Sequence, residues 1–227
     1  MSISSKIQTA QEKVDEIFQL LKNYNVETSN ENNLINLKND LANYFNQKQF
    51  TLIDYAYANG NQYFDTGISM QNNIAVELKF MIEDNIENES LGGFITEDGI
   101  EFNILKNHDS NFESSTSLED TYIINAIDDK IHFLIYNTYG RRLLFDDIQK
   151  TFVKNITPLE EKNLLIFANS HEGIKPTGRI YSCKIYDIST GNILRFFIPV
   201  IDSNDTTCFF DIVTQKFYYS QGDEDFY

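Results

Sequence analysis

Few side chains of this sequence are spaced for chemistry. Glu97 and Glu101 stand four residues apart around Asp98-Gly99, and hydrolysis of a glycosidic bond needs two carboxylates flanking it. Asp98 would fall on the opposite face of a strand carrying both, and Gly99 between them reads as a turn, so the group is read as a turn flanked by acids. His108, His132 and His171, the only histidines, share no ligand spacing. Cys183 and Cys208, the only cysteines, form no CxxC pair. They signal neither a disulfide framework nor a structural zinc site and are expected to be small buried hydrophobes. Asp202, Asn204 and Asp205 offer three hard oxygens in one short loop, against the roughly six to eight that Ca²⁺ takes. Their composition is that of a turn, with calcium as the second reading. A nucleophile elbow, a Walker loop and a GxGxxG are absent. The expectation is a chain without catalytic residues, metal or cofactor, and not an enzyme.

Charge narrows the partners. The 227 residues carry 34 acidic against 18 basic side chains, a net charge of −16. Such an excess repels phosphate backbones, so nucleic acid is not an expected partner. No apolar run approaches the ~18 residues of a membrane span, and no membrane association is expected. The start, MSISSKIQTAQEKVDEIF, has acids and amides where a signal peptide needs an apolar run, which predicts folding in the cytoplasm. Residues 1–49 hold five basic and six acidic side chains, leaving 13 basic and 28 acidic to residues 50–227. Glu83 to Asp120 alone carries eleven acids and one lysine, Lys106. A solvated acidic face with loops is the plain reading of that run, a cation-binding rim the other.

Two elements of different period must position these residues. In residues 1–49, Ile3, Ile7, Ala10, Val14, Ile17 and Leu21 recur at alternating steps of four and three, followed by Tyr24. That is the seam of a helix burying one stripe. Asn25 to Asn30 is rich in turn and capping residues, and a second stripe follows through Leu34, Leu37, Leu41 and Tyr44. Helices of ~20 residues are marginal alone. Either the pair folds into a hairpin, or copies associate through Ile3 to Leu21 in a short coiled coil. Ile at both kinds of seam position favours a homotrimer.

From Phe50 the period becomes two. Ile74, Val76, Leu78, Phe80 and Ile82 alternate with residues of the opposite face. Similar runs appear at 100–104, 121–127, 130–139, 141–145, 163–168, 178–188, 191–200, 206–212 and 215–220, punctuated by turn residues such as Asn59-Gly60-Asn61, Ser189-Thr190-Gly191 and Asp202 to Asp205. Short strands at hairpin spacing predict an antiparallel jelly-roll sandwich over residues 50–227. Thr157-Pro158-Leu159-Glu160 predicts one short capped turn of helix between strands. With 18 Phe and 13 Tyr, the core is expected to be aromatic.

Asn59-Gly60-Asn61-Gln62-Tyr63-Phe64-Asp65-Thr66-Gly67-Ile68 resembles the G-x-Q-Y-I-D-T-G opening of concanavalin-A-like, laminin-G-like domains of phage tail and virion proteins. Gly178 to Asp187 followed by Arg195-Phe196-Phe197-Ile198-Pro199-Val200 is similar to their G-R-I-Y-S-F-K-I-Y-D and R-D-F-I-P-V strands, and Asp211 through Tyr218 to their last hairpin. The likeness covers residues 50–227 apart from 84–160. Phe196, Cys208-Phe209-Phe210 and Gln221-Gly222-Asp223-Glu224 depart from the pattern. It implies a virion structural protein of tail, baseplate or fibre type, assembled in the host cytoplasm, with other virion proteins as partners. Its outward sandwich would contact host-surface glycan. A head fibre or decoration protein without a ligand, and a glycan-active hydrolase, are the alternatives.

The matched residues are mainly strand-core types, so the motif is expected to determine the fold and hold no ligand. Strict alternation would put Ile180, Ser182, Lys184 and Tyr186 on one face and Tyr181, Cys183, Ile185 and Asp187 on the other. Gly67 and Gly178 are expected where a Cβ would clash. Arg195, if buried, needs a carboxylate or carbonyl partner, with Asp187 and Asp211 as candidates. For stacking on sugars the sequence has no Trp and offers Tyr139, Tyr218, Tyr219 and Tyr227. It does not single out a ligand site.

Overall fold

The structure is a computed structural model. It describes residues 11–12, 14–15, 17–19, 21–22, 28, 33, 35–36, 39–40, 50–69, 73–83, 90–95, 101–108, 111–115, 121–124, 130–137, 142–151, 163–168 and 175–227, with the backbone alone at 90, 94–95, 101–108, 111–115, 121–124 and 150. The chain divides into two compact units, Met1–Leu52 and Ile53–Tyr227.

In the first unit the described residues at 11–12, 14–15, 17–19, 21–22, 35–36 and 39–40 are helical. Val14 and Phe18 are buried, with Leu21 packed on them. These positions follow i, i+4, i+7, the face of one helix. Ile17 of the predicted seam is 39 % exposed in the single chain, next to the buried Phe18, since neighbouring residues lie ~100° apart around a helix. Ile3, Ile7 and Ala10 lie outside the described residues, as does the second stripe from Leu34 to Tyr44.

Beyond β1 (Thr51–Leu52), the second unit is mainly β and antiparallel. In chain order the strands are β2 (Ala56–Asn59), β3 (Phe64–Ser69), β4 (Ile74–Ile82), β5 (Ser90–Ile95), β6 (Glu101–His108), β7 (Asn111–Ser115), β8 (Thr121–Ile124) and β9 (His132–Asn137). There follow β10 (Arg142–Phe145), β11 (Ile148–Thr151), β12 (Asn163–Ile166), β13 (Thr177–Asp187), β14 (Ile193–Ile201), β15 (Thr207–Asp211) and β16 (Lys216–Tyr218). One sheet runs β11-β10-β9-β4-β13-β14-β15-β16, with β2 also paired to β13; the other runs β3-β12-β5-β6-β7-β8. The acidic run from Glu83 to Asp120, read from sequence as loops with one strand, contains β5, β6 and β7. Thr157 to Glu160 lies outside the described residues.

Both sheets contribute to one hydrophobic cluster. Leu78, Phe80, Leu134, Tyr136, Ile180 and Phe197 come from the first sheet, Phe64, Leu91, Leu164 and Ile166 from the second. Phe64 joins them, stacked on Phe209 at 4.6 Å and edge-on to Phe197 at 5.0 Å. Ring pairs at these separations add to the stabilisation from burial itself. On β4 the predicted stripe from Ile74 to Ile82 points inward, while Glu77 and Lys79 are the side chains of its other face that reach solvent.

Strand β13 departs from strict alternation. Ile180 pairs with Phe80 and Ser182 with Lys79, so Tyr181 is an extra residue in the ladder. Such a bulge resets the parity of the strand. Ile180, Cys183 and Ile185 are buried, while Tyr181, Ser182, Lys184 and Tyr186 are partly open. Cys183 and Cys208 are both buried free thiols. Burial raises both pKa values, that of Cys208 to about 12 with Asp202 and Asp225 adding to the effect. Gly178 lies so close to β4 that a Cβ would overlap the carbonyl oxygen of Met81.

Candidate functional site

The first motif segment, residues 59–68, is scaffolding. Gln62 is fully buried. Its Oε1 accepts from the backbone N–H of Asn59 at 2.8 Å and of Asn61 at 3.3 Å, and its Nε2 donates to the Asp225 carbonyl at 3.0 Å. One side chain thus closes the turn between β2 and β3 and holds the C-terminal residues. Asp65 accepts from Gly67 N–H at 2.7 Å and Asn163 Nδ2 at 3.1 Å, and buried Thr66 donates to the Leu164 carbonyl at 2.9 Å. Gly67, at φ +65°, takes a left-handed conformation that L side chains seldom adopt.

Three aspartates organise the last hairpins. Asp187, a candidate partner of Arg195, instead caps its own turn, accepting from Ser189 N–H at 2.8 Å and Thr190 N–H at 3.2 Å. The Ser189 hydroxyl is the main cause holding its carboxyl below the usual range. Asp211 is the partner. Its Oδ2 lies 3.5 Å from Arg195 Nε, an ion-pair contact that leaves this buried Nε without a hydrogen bond, while the Arg195 Nη1 donates to the Leu194 carbonyl at 2.7 Å.

Asp202, first of the three oxygen-bearing residues read as a turn or calcium loop, is 8 % exposed. Its Oδ1 accepts from Asn204 N–H at 2.9 Å and Thr206 N–H at 3.0 Å. Its Oδ2 accepts from Tyr219 Oη at 2.9 Å and Asn204 Nδ2 at 3.2 Å. Both oxygens are committed to donors that close the β14–β15 turn. Among the described residues no group of three His, Cys, Asp or Glu is placed to hold a metal ion. Burial pushes the Asp202 carboxyl up, but the Thr206 and Asn204 N–H groups and the Tyr219 hydroxyl outweigh it and hold the pKa below the usual range. Burial, then the hydrogen bond to Asp202, raises the Tyr219 phenol to about 12. A carboxyl lowered by folding stabilises fully above its unfolded value of about 3.9, and that stabilisation disappears as pH falls through the folded value. Asp202→Asn is therefore expected to be less stable than the parent near neutrality, with the gap in urea midpoint narrowing as pH falls from the unfolded value of about 3.9 through the lower folded value. A gap constant across that range would refute the assignment.

Of the acids and histidines considered from sequence as catalytic groups, only His132 has a described side chain. Glu97 and His171 lie outside the described residues, and only the backbone is described at Glu101 and His108. His132 is buried, with Nδ1 2.8 Å from Asp146 Oδ2 and its ring stacked on Phe145 at 4.9 Å. Asp146 also accepts from Phe133 N–H at 2.8 Å across the β9–β10 hairpin. This histidine is part of the packing.

The predicted stacking tyrosines are largely occupied. Tyr139 lies outside the described residues. Tyr218 packs edge-on to core Phe197 at 5.0 Å. Tyr219 holds Asp202, and Tyr227 donates to Glu224 at 2.8 Å.

Two other tyrosines line an open groove. Asp54, Tyr55, Lys79, Ile131, Tyr181 and Ser182 enclose about 520 Å³ on the outer side of the larger sheet. The Tyr55 and Tyr181 rings meet at 5.8 Å with 63° between their planes, forming two walls of a corner. Arg179 lies over the Tyr55 ring at 4.7 Å and Lys79 over the Tyr181 ring at 5.5 Å. The β13 bulge presents Tyr181 and Ser182 consecutively to this side, opposite Lys79 of β4. Aromatic faces beside a hydroxyl, a carboxylate and an ammonium suit a polar ligand with an apolar face, the character of a sugar ring. No protein-family model matches the chain, and it has no match among the curated proteins.

Proposed function

We propose that the chain is a non-enzymatic virion structural protein of tail, baseplate or fibre type. Its residues 50–227 would form a concanavalin-A-like jelly-roll sandwich that touches host-surface glycan. Residues 1–49 would pair as short helices, associate as a homotrimer and attach the module to other virion proteins. The observation that carries the binding role is the corner of Tyr55 and Tyr181 above Ser182 and Asp54. The virion setting rests on the resemblance of residues 59–68, 178–187 and 195–200 to phage domains, whose turn and strand contacts account for Gln62, Asp65, Thr66 and Gly178.

Retention of the full chain on bacterial cell-wall polysaccharide tests the binding role. Retention is expected, and Tyr181→Ala is expected to weaken it about tenfold, the order of one lost aromatic stacking contact of ~1.4 kcal/mol. Absence of retention would favour a head fibre or decoration protein without a ligand. Release of reducing ends, abolished by Glu97→Gln or Glu101→Gln, would replace binding by hydrolysis.

A further inference from the structure

Building on the glycan reading, we propose that the groove takes a sugar residue carrying one anionic group, with Lys79 as its counter-charge. Three cations stand on the outer side of β4 and β13. Arg179 is paired with Glu83 at 2.8 Å and Lys184 with Glu77 at 2.7 Å. Among the described residues no carboxylate pairs with Lys79, whose ammonium lies over Tyr181 instead. An ammonium over a ring face keeps N–H donors for an oxygen anion. In the same groove the tyrosine rings offer faces for the apolar side of a pyranose, and Asp54 offers acceptors for its hydroxyls.

The charge of the whole chain sets the number of anionic groups. At −16 the chain repels an extended polyanion. A single carboxylate or phosphate touching Lys79 lies well inside the Debye length of about 8 Å, where the local contact outweighs screened distant charge. Hexuronates and sugar phosphates share this chemistry.

Ligand-observed NMR titration of the full chain with glucuronate, glucose 6-phosphate and glucose tests the proposal. At least one of the two anionic sugars is expected to bind about fivefold more tightly than glucose, the size of one solvent-exposed ion pair, and the arm that does so identifies carboxylate or phosphate. Lys79→Gln should abolish the preference with an unchanged urea midpoint, whereas Tyr181→Ala should weaken all binding. Equal binding of all three sugars, or a preference that survives Lys79→Gln, would overturn the anionic specificity and leave the glycan reading intact. If none of the three binds, the inference falls. The glycan reading falls with it only where retention on wall polysaccharide is also absent.

Discussion

A chain ending after Tyr219 is expected to be unfolded in buffer at room temperature. The last residues are part of the core architecture. Phe226 is 3 % exposed, edge-on to Phe209 at 5.2 Å and to Phe64 at 6.5 Å. Tyr57 and Tyr227 exchange backbone hydrogen bonds of 2.8 and 3.0 Å, and Gln221 N–H donates to the Tyr63 carbonyl at 2.8 Å. Gly222 fits so closely against Asn61 that a Cβ would overlap its carbonyl oxygen. Truncation removes a core phenylalanine, a loss of about 3–5 kcal/mol when cut to Ala. It also strands the buried Nε2 of Gln62, at about 1–3 kcal/mol. Together these approach the whole stability of an ordinary domain, about 5–15 kcal/mol. Near-UV circular dichroism and a urea titration check the result. Phe226→Ala alone should fold with a stability lower by about 3–5 kcal/mol. A truncated chain that unfolds cooperatively within about 1 kcal/mol of the parent would show that the tail is merely laid on the surface.

Asp211→Ala is expected to lower stability by about 3–5 kcal/mol, the size of losing one partner of a buried charged network. Asp211 is fully buried. It accepts from Phe196 N–H at 2.9 Å, Val213 N–H at 3.1 Å, Thr214 N–H at 3.3 Å and the Thr214 hydroxyl at 2.6 Å. Arg195 adds its ion pair at 3.5 Å. Alanine leaves all these donors without an acceptor and the guanidinium, whose side chain is 21 % exposed, without its counter-charge. Asp211→Asn keeps one carbonyl oxygen and the shape, so its loss should be smaller. Urea midpoints ordered parent, Asp211→Asn, Asp211→Ala would bear this out, and an alanine variant within about 1 kcal/mol of the parent would refute it.

Much of the strand plan is legible in the residues. The alternation from Ile74 to Ile82 corresponds to β4, and the runs at 163–168, 178–188, 191–200 and 206–212 correspond to β12, β13, β14 and β15. The turn chemistry of Asp187 to Gly191 and Asp202 to Asp205 is equally local, since each aspartate caps residues two to four positions on. Strands β1, β2, β3, β5, β7 and β11 coincide with none of the period-two runs. Gly92-Gly93 within β5 and Gln149-Lys150 within β11 carry little strand preference of their own, and such segments are strands through their ladders with β6, β12 and β10.

The candidate site was the least legible part. Nothing in the sequence singles out Tyr55, and a strict period of two, which admits no extra residue, puts Tyr181 on the face of Cys183. Nothing near Tyr181 in sequence announces the bulge; the register of β13 against β4 does. By itself the sequence determined what depends on neighbours along the chain: the antiparallel strand period, the capped turns, the burial of both cysteines and the acidity of the β unit. Only the tertiary structure decided that Asp211 rather than Asp187 meets Arg195, that Gln62 ties the β2–β3 turn to the C-terminal residues, and that Tyr55, Lys79 and Tyr181 share one groove. Those partners are distant in sequence, and their meeting is set by pairing register and sheet packing, which local residue preferences do not encode.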